Sequence, residues 1–425
     1  MVWGVTGNNR VGDYDTYAQL SKIDGGNYAG VYPFDNVINS VGLVPTTMAN
    51  RALLWESTAQ WNGGLDVSFL NQRIFLTLDV YTKNTSDLLL NANLPYSSGY
   101  PQGYKNIGET ENRGLEITIN TKNIKSKNFN WSTNFNISFN QNKVKALTDN
   151  QRTLSINAGF DGNFNGMPNY FTQIGYPLGL MYGYIYDGTY KYNDFNYDAV
   201  TKTYTIKTGV PTFSAEAKTG PGYPKYRDLN RDGKIDSNDQ TVIGRGTPIH
   251  IGGINNTFTY KNIDFSFFFQ WSYGNNILSA NELVFGVYNG RTLTNLFASY
   301  KDRWSPSNPE SDIPVAAVLN ASPGNPTITS TASLNVFSSR VIEDGSFLRL
   351  KNINLGYNFS PALLKKLRLS KLRLFMNAND IWVLTNYNGG YDPEVSVRNS
   401  ALTPGFDYSS YPRALSVNVG INLAF

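Results

Sequence analysis

The stretch Ala414-Leu-Ser-Val-Asn-Val-Gly-Ile-Asn-Leu-Ala-Phe425 decides the fold. Apolar side chains occupy every second position from Leu415 to Phe425, and small or polar residues stand between them. Strict alternation with a period of two predicts a β-strand with one apolar face. Terminal residues fray unless a sheet ties them down, and a barrel with an apolar outside and a wet inside needs this pattern. The stretch therefore favours a closed, membrane-spanning β-sheet.

The same alternation recurs along the chain. Residues 131–140 place aromatic and aliphatic side chains opposite Ser and Asn, and residues 263–271 place them opposite Asp, Ser and Gln, with Phe268 on the polar side. A polar face of this length suits water rather than a packed core. About eleven such strands can be counted, joined alternately by short turns and long loops, which is the arrangement of a membrane barrel.

Three segments interrupt the pattern. Residues 11–50 and 91–105 are rich in Gly, Asn, Tyr and Pro and are predicted to be loops. Ile277 to Trp304 carries apolar residues at helical spacings before Pro306, which predicts one helix-bearing loop. Between Leu348 and Phe359 the alternation changes phase, and a β-bulge would absorb the extra residue.

Composition supports a partly non-aqueous surface. Charged residues make up 16% of the chain, below the roughly 25% of a soluble globular protein, and aromatic residues make up 14%. No apolar run approaches the about 18 residues of a spanning helix, so a membrane role requires strands. The net charge of +4 is scattered, which disfavours nucleic acid as a partner. Without cysteine, thiol chemistry and disulfides are excluded.

The first residues, Met1 to Arg10, contain no basic, apolar and small-residue sequence of the secretory kind. Val2 to Thr6 already reads as a strand that enters a turn at Gly7. We therefore expect the chain to be a fragment that begins inside a larger fold.

The sharpest local motif runs from Asp228 to Asp239. Its spacing matches a calcium loop: Gly233 supplies the sharp turn and the Lys234 carbonyl a further ligand. Two departures argue against a true EF-hand, because the last ligand is Asp rather than Glu and no helix can enter through Gly220-Pro-Gly-Tyr-Pro224. The alternative is an Asp/Asn/Gly-rich turn that binds nothing. The predicted ligands of a structural calcium ion are Asp228, Asn230, Asp232, Lys234, Asp236 and Asp239.

Enzymatic chemistry is not expected. His250 is the single histidine and receives no role, since Ser/His and Cys/His arrangements have no second candidate base. The carboxylate pairs Glu343–Asp344 and Asp392–Glu394 could serve a glycosidase, but adjacent acids on loops are usually solvated.

Clustered tyrosines admit two interpretations. Such side chains anchor membrane interfaces, and they also stack on sugars or other ligands. The interfacial girdle is preferred for the clusters Tyr182, Tyr184 and Tyr186, and Tyr387 and Tyr391.

Several motifs together resemble the SusC/RagA-type TonB-dependent outer-membrane transporters, in the order found in that family. The C-terminal ones are Glu343-Asp-Gly-Ser-Phe-Leu-Arg-Leu-Lys-Asn352, Asn379-Asp-Ile-Trp382, Gly390-Tyr-Asp-Pro-Glu394 and Asp407-Tyr-Ser-Ser-Tyr-Pro412. The earlier ones are Gly4-Val-Thr-Gly-Asn8, Leu54-Trp-Glu-Ser57, Asp87-Leu-Leu-Leu90, Asn106-Ile-Gly108, Asn112-Arg-Gly-Leu-Glu116 and Arg303-Trp-Ser-Pro-Ser-Asn308. The resemblance covers essentially all 425 residues.

The resemblance implies an all-β fold, an antiparallel transmembrane barrel of about twenty-two strands, with residues 1–425 as roughly its C-terminal half. The signal peptide, TonB box and plug of the family are not found in the sequence. The implied function is import of glycans or peptides across the Gram-negative outer membrane, with a SusD-like lipoprotein as lid and TonB as energy source. The calcium-like loop is often seen in the family. Ile421, Leu423 and Phe425 are similar to the signal that the barrel-assembly machinery reads.

A second hypothesis remains from another class. It is an extracellular β-rich binding or adhesion protein stabilised by the calcium loop. Such a protein would need neither an aromatic-capped terminal strand nor an alternating lipid face.

Overall fold

Ten strands form one antiparallel sheet, in which each strand pairs with its neighbours along the chain. The computed structural model describes residues 1–8, 17–22, 31–32, 40–41, 43–93, 102–106, 108–147, 151–160, 168–213, 219–288, 295–316, 336–398 and 400–425. Within these ranges the sheet is open, and its first and last strands are the edges. The strands are β1 (Val2–Asn8), β2 (Glu56–Phe69), β3 (Ile74–Ser86), β4 (Glu109–Lys125), β5 (Phe129–Ala146), β6 (His250–Tyr260), β7 (Ile263–Tyr273), β8 (Phe347–Asn358), β9 (Lys371–Thr385) and β10 (Ser416–Ala424).

The predicted alternation is confirmed as two continuous faces of this sheet, because directly paired residues point to the same side. One row of paired residues forms part of an apolar face: Val67, Leu76, Ile119, Phe135, Ile254, Phe269, Leu350 and Trp382. The adjacent row forms part of a polar face: Asp66, Thr77, Thr118, Asn136, Gly253, Gln270, Arg349 and Val383.

Strand β10 continues both faces at one edge. Its Val417, Ile421 and Leu423 pair with Ala378, Leu374 and Leu372 of β9, respectively. Every one of these side chains on β10 is more than half exposed. Most of the stretch Ala414–Phe425 therefore forms an edge strand with an uncovered apolar face.

Connections alternate in length, as predicted. Residues 70–73, 126–128 and 261–262 make short turns at one rim, and residues 359–370 cross the same rim with a short helix. Long connections lie at the other rim: residues 9–55, 87–108, 147–249, 274–346 and 386–415. Among the described residues the α-helices are α1 (Ala280–Phe285) and α2 (Pro361–Leu367). The expected helix-bearing loop is confirmed, since it contains α1 and the 3-10 helix Ala298–Asp302.

The last three long connections pack into one folded body, which we call the loop cap. Its main core joins Tyr170 and Met181 of the first connection, Leu278 and Leu283 of the second, and Phe406 of the third. All five side chains are completely buried. The cap strands are Thr153–Ile156, Tyr170–Gln173, Leu180–Gly183, Tyr186–Thr189, Phe195–Asp198, Thr203–Ile206, Thr212–Phe213, Pro224–Tyr226, Lys234–Ile235, Thr241–Arg245, Asn276–Ser279, Ile342–Asp344 and Phe406–Asp407. Its 3-10 helices are Tyr192–Asp194, Ser237–Asp239, Ala298–Asp302 and Ser339–Val341.

The predicted bulge is confirmed at Lys351. Leu350 pairs with Trp382 and Asn352 with Asn379, so Lys351 has no regular partner on β9. The same residue is skipped in the register with β7. The bulge restores the alternation, which is why the apolar positions change parity within β8.

One sequence expectation needs correction. Residues 91–105 are not wholly a loop, because Leu89–Asn93 pairs with Gln102–Asn106 in a two-stranded ribbon. That ribbon lacks alternating apolar residues, so periodicity could not reveal it. Among the described residues the large sheet has ten strands, which agrees with the prediction of about eleven, and shorter strands lie outside it.

Most of the loop predicted at residues 11–50 lies outside the described residues. Its described parts contain the strands Gln19–Lys22, Val31–Tyr32, Ser40–Val41 and Leu43–Thr47. Among the described residues, no helix has the length and apolar character needed to cross a lipid bilayer.

Candidate functional site

The polar face of the sheet forms one wall of a cavity of about 760 Å³. Asn136 and Ser138 of β5 and Gln270 and Ser272 of β7 contribute amide and hydroxyl groups to this wall. The opposite wall comes from the connection between β9 and β10, residues 393–396, 404–405 and 413. The strands thus hold polar side chains toward a space that one loop of the cap covers.

An ion-pair network stands at the edge of this cavity. Arg349 of β8 donates from Nη2 to Oδ1 of Asp392 at 2.6 Å, and both side chains are about nine-tenths or more buried. Arg413 places its Nε 3.5 Å from the other Asp392 oxygen and its Nη2 3.2 Å from Oε2 of Glu394. A buried carboxylate is strongly disfavoured without such partners. The network therefore fixes the loop to the polar face.

The bulge of β8 extends the network along the sheet. Lys351 donates from Nζ to Oδ1 of Asp380 at 2.7 Å, and Arg349 Nη1 lies 3.8 Å from the same oxygen. Asp380 has a φ of 51°, which the irregular pairing opposite the bulge accommodates. The bulge thus places Lys351 and Asp380 beside Arg349, which holds the loop through Asp392.

The predicted calcium loop is ordered by its own hydrogen bonds. Asp228 accepts from the backbone N–H groups of Arg231 at 2.6 Å and Gly233 at 2.8 Å. Asp239, which is completely buried, accepts from the N–H groups of Leu229 at 2.8 Å and Asp236 at 2.9 Å. These bonds fold the segment into a tight turn.

Three of the remaining predicted ligands also accept hydrogen bonds from backbone N–H groups of the loop. Asn230 accepts from the N–H of Asp232, Asp232 from that of Lys234, and Asp236 from that of Asn238. Across the part of the chain that the structure describes, no three histidine, cysteine, aspartate or glutamate side chains gather as a metal ion would require. The loop's oxygens thus meet backbone N–H groups in this arrangement, and calcium binding stays a prediction.

Other residues singled out from the sequence have structural contacts. His250 stacks on Tyr273 at 5.0 Å between ring centroids, and its Nδ1 accepts from the indole of Trp271 at 3.2 Å. Glu343 accepts from the N–H groups of Asn388 and Gly389 at 2.7 and 3.0 Å. These contacts assign packing and loop-fixing roles.

The expected interfacial girdle is wrong for two of the tyrosines. Tyr184 is buried in a cap cluster with Tyr226 and Ile235. Tyr387 is buried as well and donates its hydroxyl to Asp407. Desolvation by burial raises the pKa of both hydroxyls above the ordinary value. Clustering in sequence could not distinguish a membrane interface from a folded loop.

Comparison with known proteins agrees with this architecture. The sequence model of the family described as TonB dependent receptor-like, beta-barrel matches residues 9–213. TonB-dependent receptor P3 of Formosa agariphila is 35% identical over all of this chain, which covers 39% of that protein. The chain is similar over its whole length to TonB-dependent receptors, and nearly half of it matches their β-barrel model. TonB-dependent receptor SusC of Bacteroides thetaiotaomicron is similar to this chain at 29% identity, over all of this chain and 37% of SusC.

The fold of the chain also matches a solved structure. The structure of the RagAB peptide transporter superposes with a TM-score of 0.73 at 22% identity, over 100% of this chain and 40% of that one. The chain spans about two fifths of the curated relatives it matches.

Similarity to TonB-dependent receptor β-barrels indicates the environment of each face of the sheet. TonB-dependent receptors are outer-membrane β-barrels of Gram-negative bacteria, which confirms the predicted location. The apolar face is the lipid face, and the polar face is the lumen face. The short turns lie at the periplasmic rim, so the loop cap is extracellular.

The ion-pair network of Arg349, Asp392 and Arg413 was not predicted from the sequence. There, Asp392 and Glu394 were considered as a catalytic pair and as part of the motif Gly390-Tyr-Asp-Pro-Glu394. Arg349 could have been placed on the lumen face by alternation along β8. Its partner, however, comes from a connection without periodicity, so only the structure brings the two together.

Proposed function

We propose that this chain forms the C-terminal barrel portion of an outer-membrane importer that takes up glycans or peptides with energy from TonB. The observation that carries the proposal is the predominantly polar row of side chains from β2 to β8, next to a row that is apolar throughout and points to the other face. A polar wall of amides, hydroxyls and paired charges suits uncharged or zwitterionic oligomers that make many hydrogen bonds.

The partners follow from the relatives. SusC is a TonB-dependent receptor by name, and RagAB is a named peptide transporter. We propose a SusD-like lipoprotein as the partner that covers the extracellular loop cap, and TonB as the periplasmic partner.

The terminal strand supports a further partner, the barrel-assembly machinery. Phe425 is 93% exposed, and Leu423 and Ile421 are also uncovered on the lipid face. Ser370 donates its hydroxyl to the Phe425 carbonyl at 3.2 Å, which holds the chain end at the periplasmic rim. The chain end and the apolar face of β10 thus lie together at this rim.

Single-cysteine labelling tests the assignment of the faces, since the chain has no cysteine of its own. Asn136 and Phe135 are adjacent on β5 and point to opposite faces. In the membrane-inserted protein, Asn136→Cys is expected to react with a water-soluble maleimide, and Phe135→Cys only with a lipid-soluble one. Equal reaction of both positions with the water-soluble reagent would contradict the barrel assignment.

Uptake tests the transport step. Cells that express the protein are given fluorescent oligosaccharides and peptides, with and without TonB. Asn136→Trp and Gln270→Trp, which fill the lumen cavity, are expected to lower uptake, whereas Phe269→Leu on the lipid face preserves it. Uptake that persists without TonB, or without the protein, would refute the proposal.

A further inference from the structure

Formal charge is confined to one place on the lipid face. At regularly paired positions of the ten strands, all of which are described, charged side chains point toward lipid only on β4 and β5. Lys145 joins them from an irregular position at the end of β5. The set is Glu109, Glu111, Arg113, Lys143 and Lys145, with three cations against two carboxylates.

The position of this group relative to the bilayer follows from the register. Leu115 pairs with Phe139, which in turn pairs with His250, and this row is the last apolar one on β4 and β5. One step further from the short turns, Arg113 pairs with Gln141, and Glu111 then pairs with Lys143. The cations therefore begin about 7 Å beyond the apolar row, at the extracellular boundary of the membrane.

The contacts within the group leave positive charge toward the membrane. Glu111 is buried, and Arg113 Nε lies 3.0 Å from its Oε1. Lys145 Nζ lies 3.7 Å from the other oxygen, so one carboxylate is shared by two cations. Lys143 is exposed and makes no ion pair within the described residues. Arg113 also donates from Nη2 to Oε2 of Glu111 at 3.1 Å, and its side chain is 64% exposed.

Basic side chains at such a boundary attract anionic lipid head groups, while the apolar row beneath them contacts the acyl chains. The lipid of the outer leaflet that fits both parts is a phosphorylated glycolipid. We propose that Arg113, Lys143 and Lys145 form a binding site for the head-group phosphate of such a lipid, with Leu115 and Phe139 against its acyl chains. This site would help to set the depth of the sheet in the outer leaflet, independently of what passes through the lumen.

The test measures retained lipid. The membrane-inserted protein is placed in nanodiscs that contain either phosphorylated lipid A or its enzymatically dephosphorylated form, and bound lipid is counted by native mass spectrometry. The native protein is expected to retain the phosphorylated form preferentially. Lys143→Gln is expected to weaken that retention about fivefold, and Lys143→Gln with Lys145→Gln further, because each basic residue near a charged membrane surface contributes about 1 kcal/mol.

Lys83→Gln is the matched control. Lys83 lies on neighbouring β3 at the height of Asn112, but it faces the lumen. The substitution Lys83→Gln removes the same charge as Lys143→Gln and is expected to leave lipid retention unchanged. Arg113 is kept in all variants, so that Glu111 is not left buried without its closest partner. Equal retention of both lipid forms by the native protein, or an equal loss in Lys83→Gln, would overturn the proposal.

Discussion

Removal of one buried arginine side chain should loosen the cap from the barrel. The side chains of Arg349 and Asp392 are 4% and 6% exposed and are joined at 2.6 Å. Breaking a buried ion pair by removing one partner costs about 3–5 kcal/mol, because the other charge stays buried. Arg413 Nε, 3.5 Å from the second Asp392 oxygen, compensates in part. We therefore expect Arg349→Ala to lower the free energy of unfolding by about 3 kcal/mol.

The measurement is guanidinium unfolding of the detergent-solubilised protein, followed by tryptophan fluorescence and by heat-modifiable electrophoretic mobility. Arg227→Ala is the control, since its pair with Asp187 has side chains 55% and 46% exposed. An exposed pair contributes under about 1 kcal/mol. The double replacement Arg349→Met with Asp392→Leu should recover most of the loss, because apolar residues of similar volume avoid the buried charge. If Arg349→Ala costs no more than Arg227→Ala, the argument that the network anchors the loop is refuted.

Three further outcomes are expected. Gly252→Ala would place a Cβ 2.6 Å from the Asn136 carbonyl oxygen and closer still to the Trp271 ring. Thermal unfolding should therefore show a free energy of unfolding lower by about 1–3 kcal/mol. Gly63→Ala, where nothing lies within 4 Å of the added Cβ, should leave the stability unchanged. Burial, helped by Glu343 and opposed by Arg340, raises the pKa of Glu282, so the native fold binds its proton more tightly and loses stability as pH rises through the raised pKa. Glu282→Gln should therefore be more stable than the native protein at pH 8 and equal to it near about pH 4, as unfolding midpoints across pH will reveal. Calorimetric titration with calcium should give heat that Asp232→Ala abolishes, and an absence of heat in the native protein would leave the loop as a self-sufficient turn.

The sheet could be predicted because its causes are local. Alternation in β5, β7 and β10 depends on which residues face lipid and which face water, and that information repeats every two residues. Even the bulge at Lys351 was visible, as a change of parity between Leu348 and Phe359. The short turns could be predicted as well, since they are the few residues that connect two consecutive alternating segments.

The loop cap could not be predicted from such patterns. Tyr170 and Phe406 pack together although they are far apart in sequence, and neither belongs to an alternating or helical run. Their burial depends on which connections meet above the barrel. The lumen cavity could not be predicted for the same reason. One wall comes from strands with an alternating sequence, but the other comes from a connection without any periodic pattern.

The shared core of the cap has a consequence for how such receptors can diverge. Leu278, Met181 and Phe406 come from three connections, yet each is completely buried among residues of the others. A single connection transplanted from a relative would bring only part of that core and expose the rest. Chimeras that exchange all three connections together should fold where single exchanges fail, so new substrate ranges would arise by replacing the extracellular body as one inherited unit.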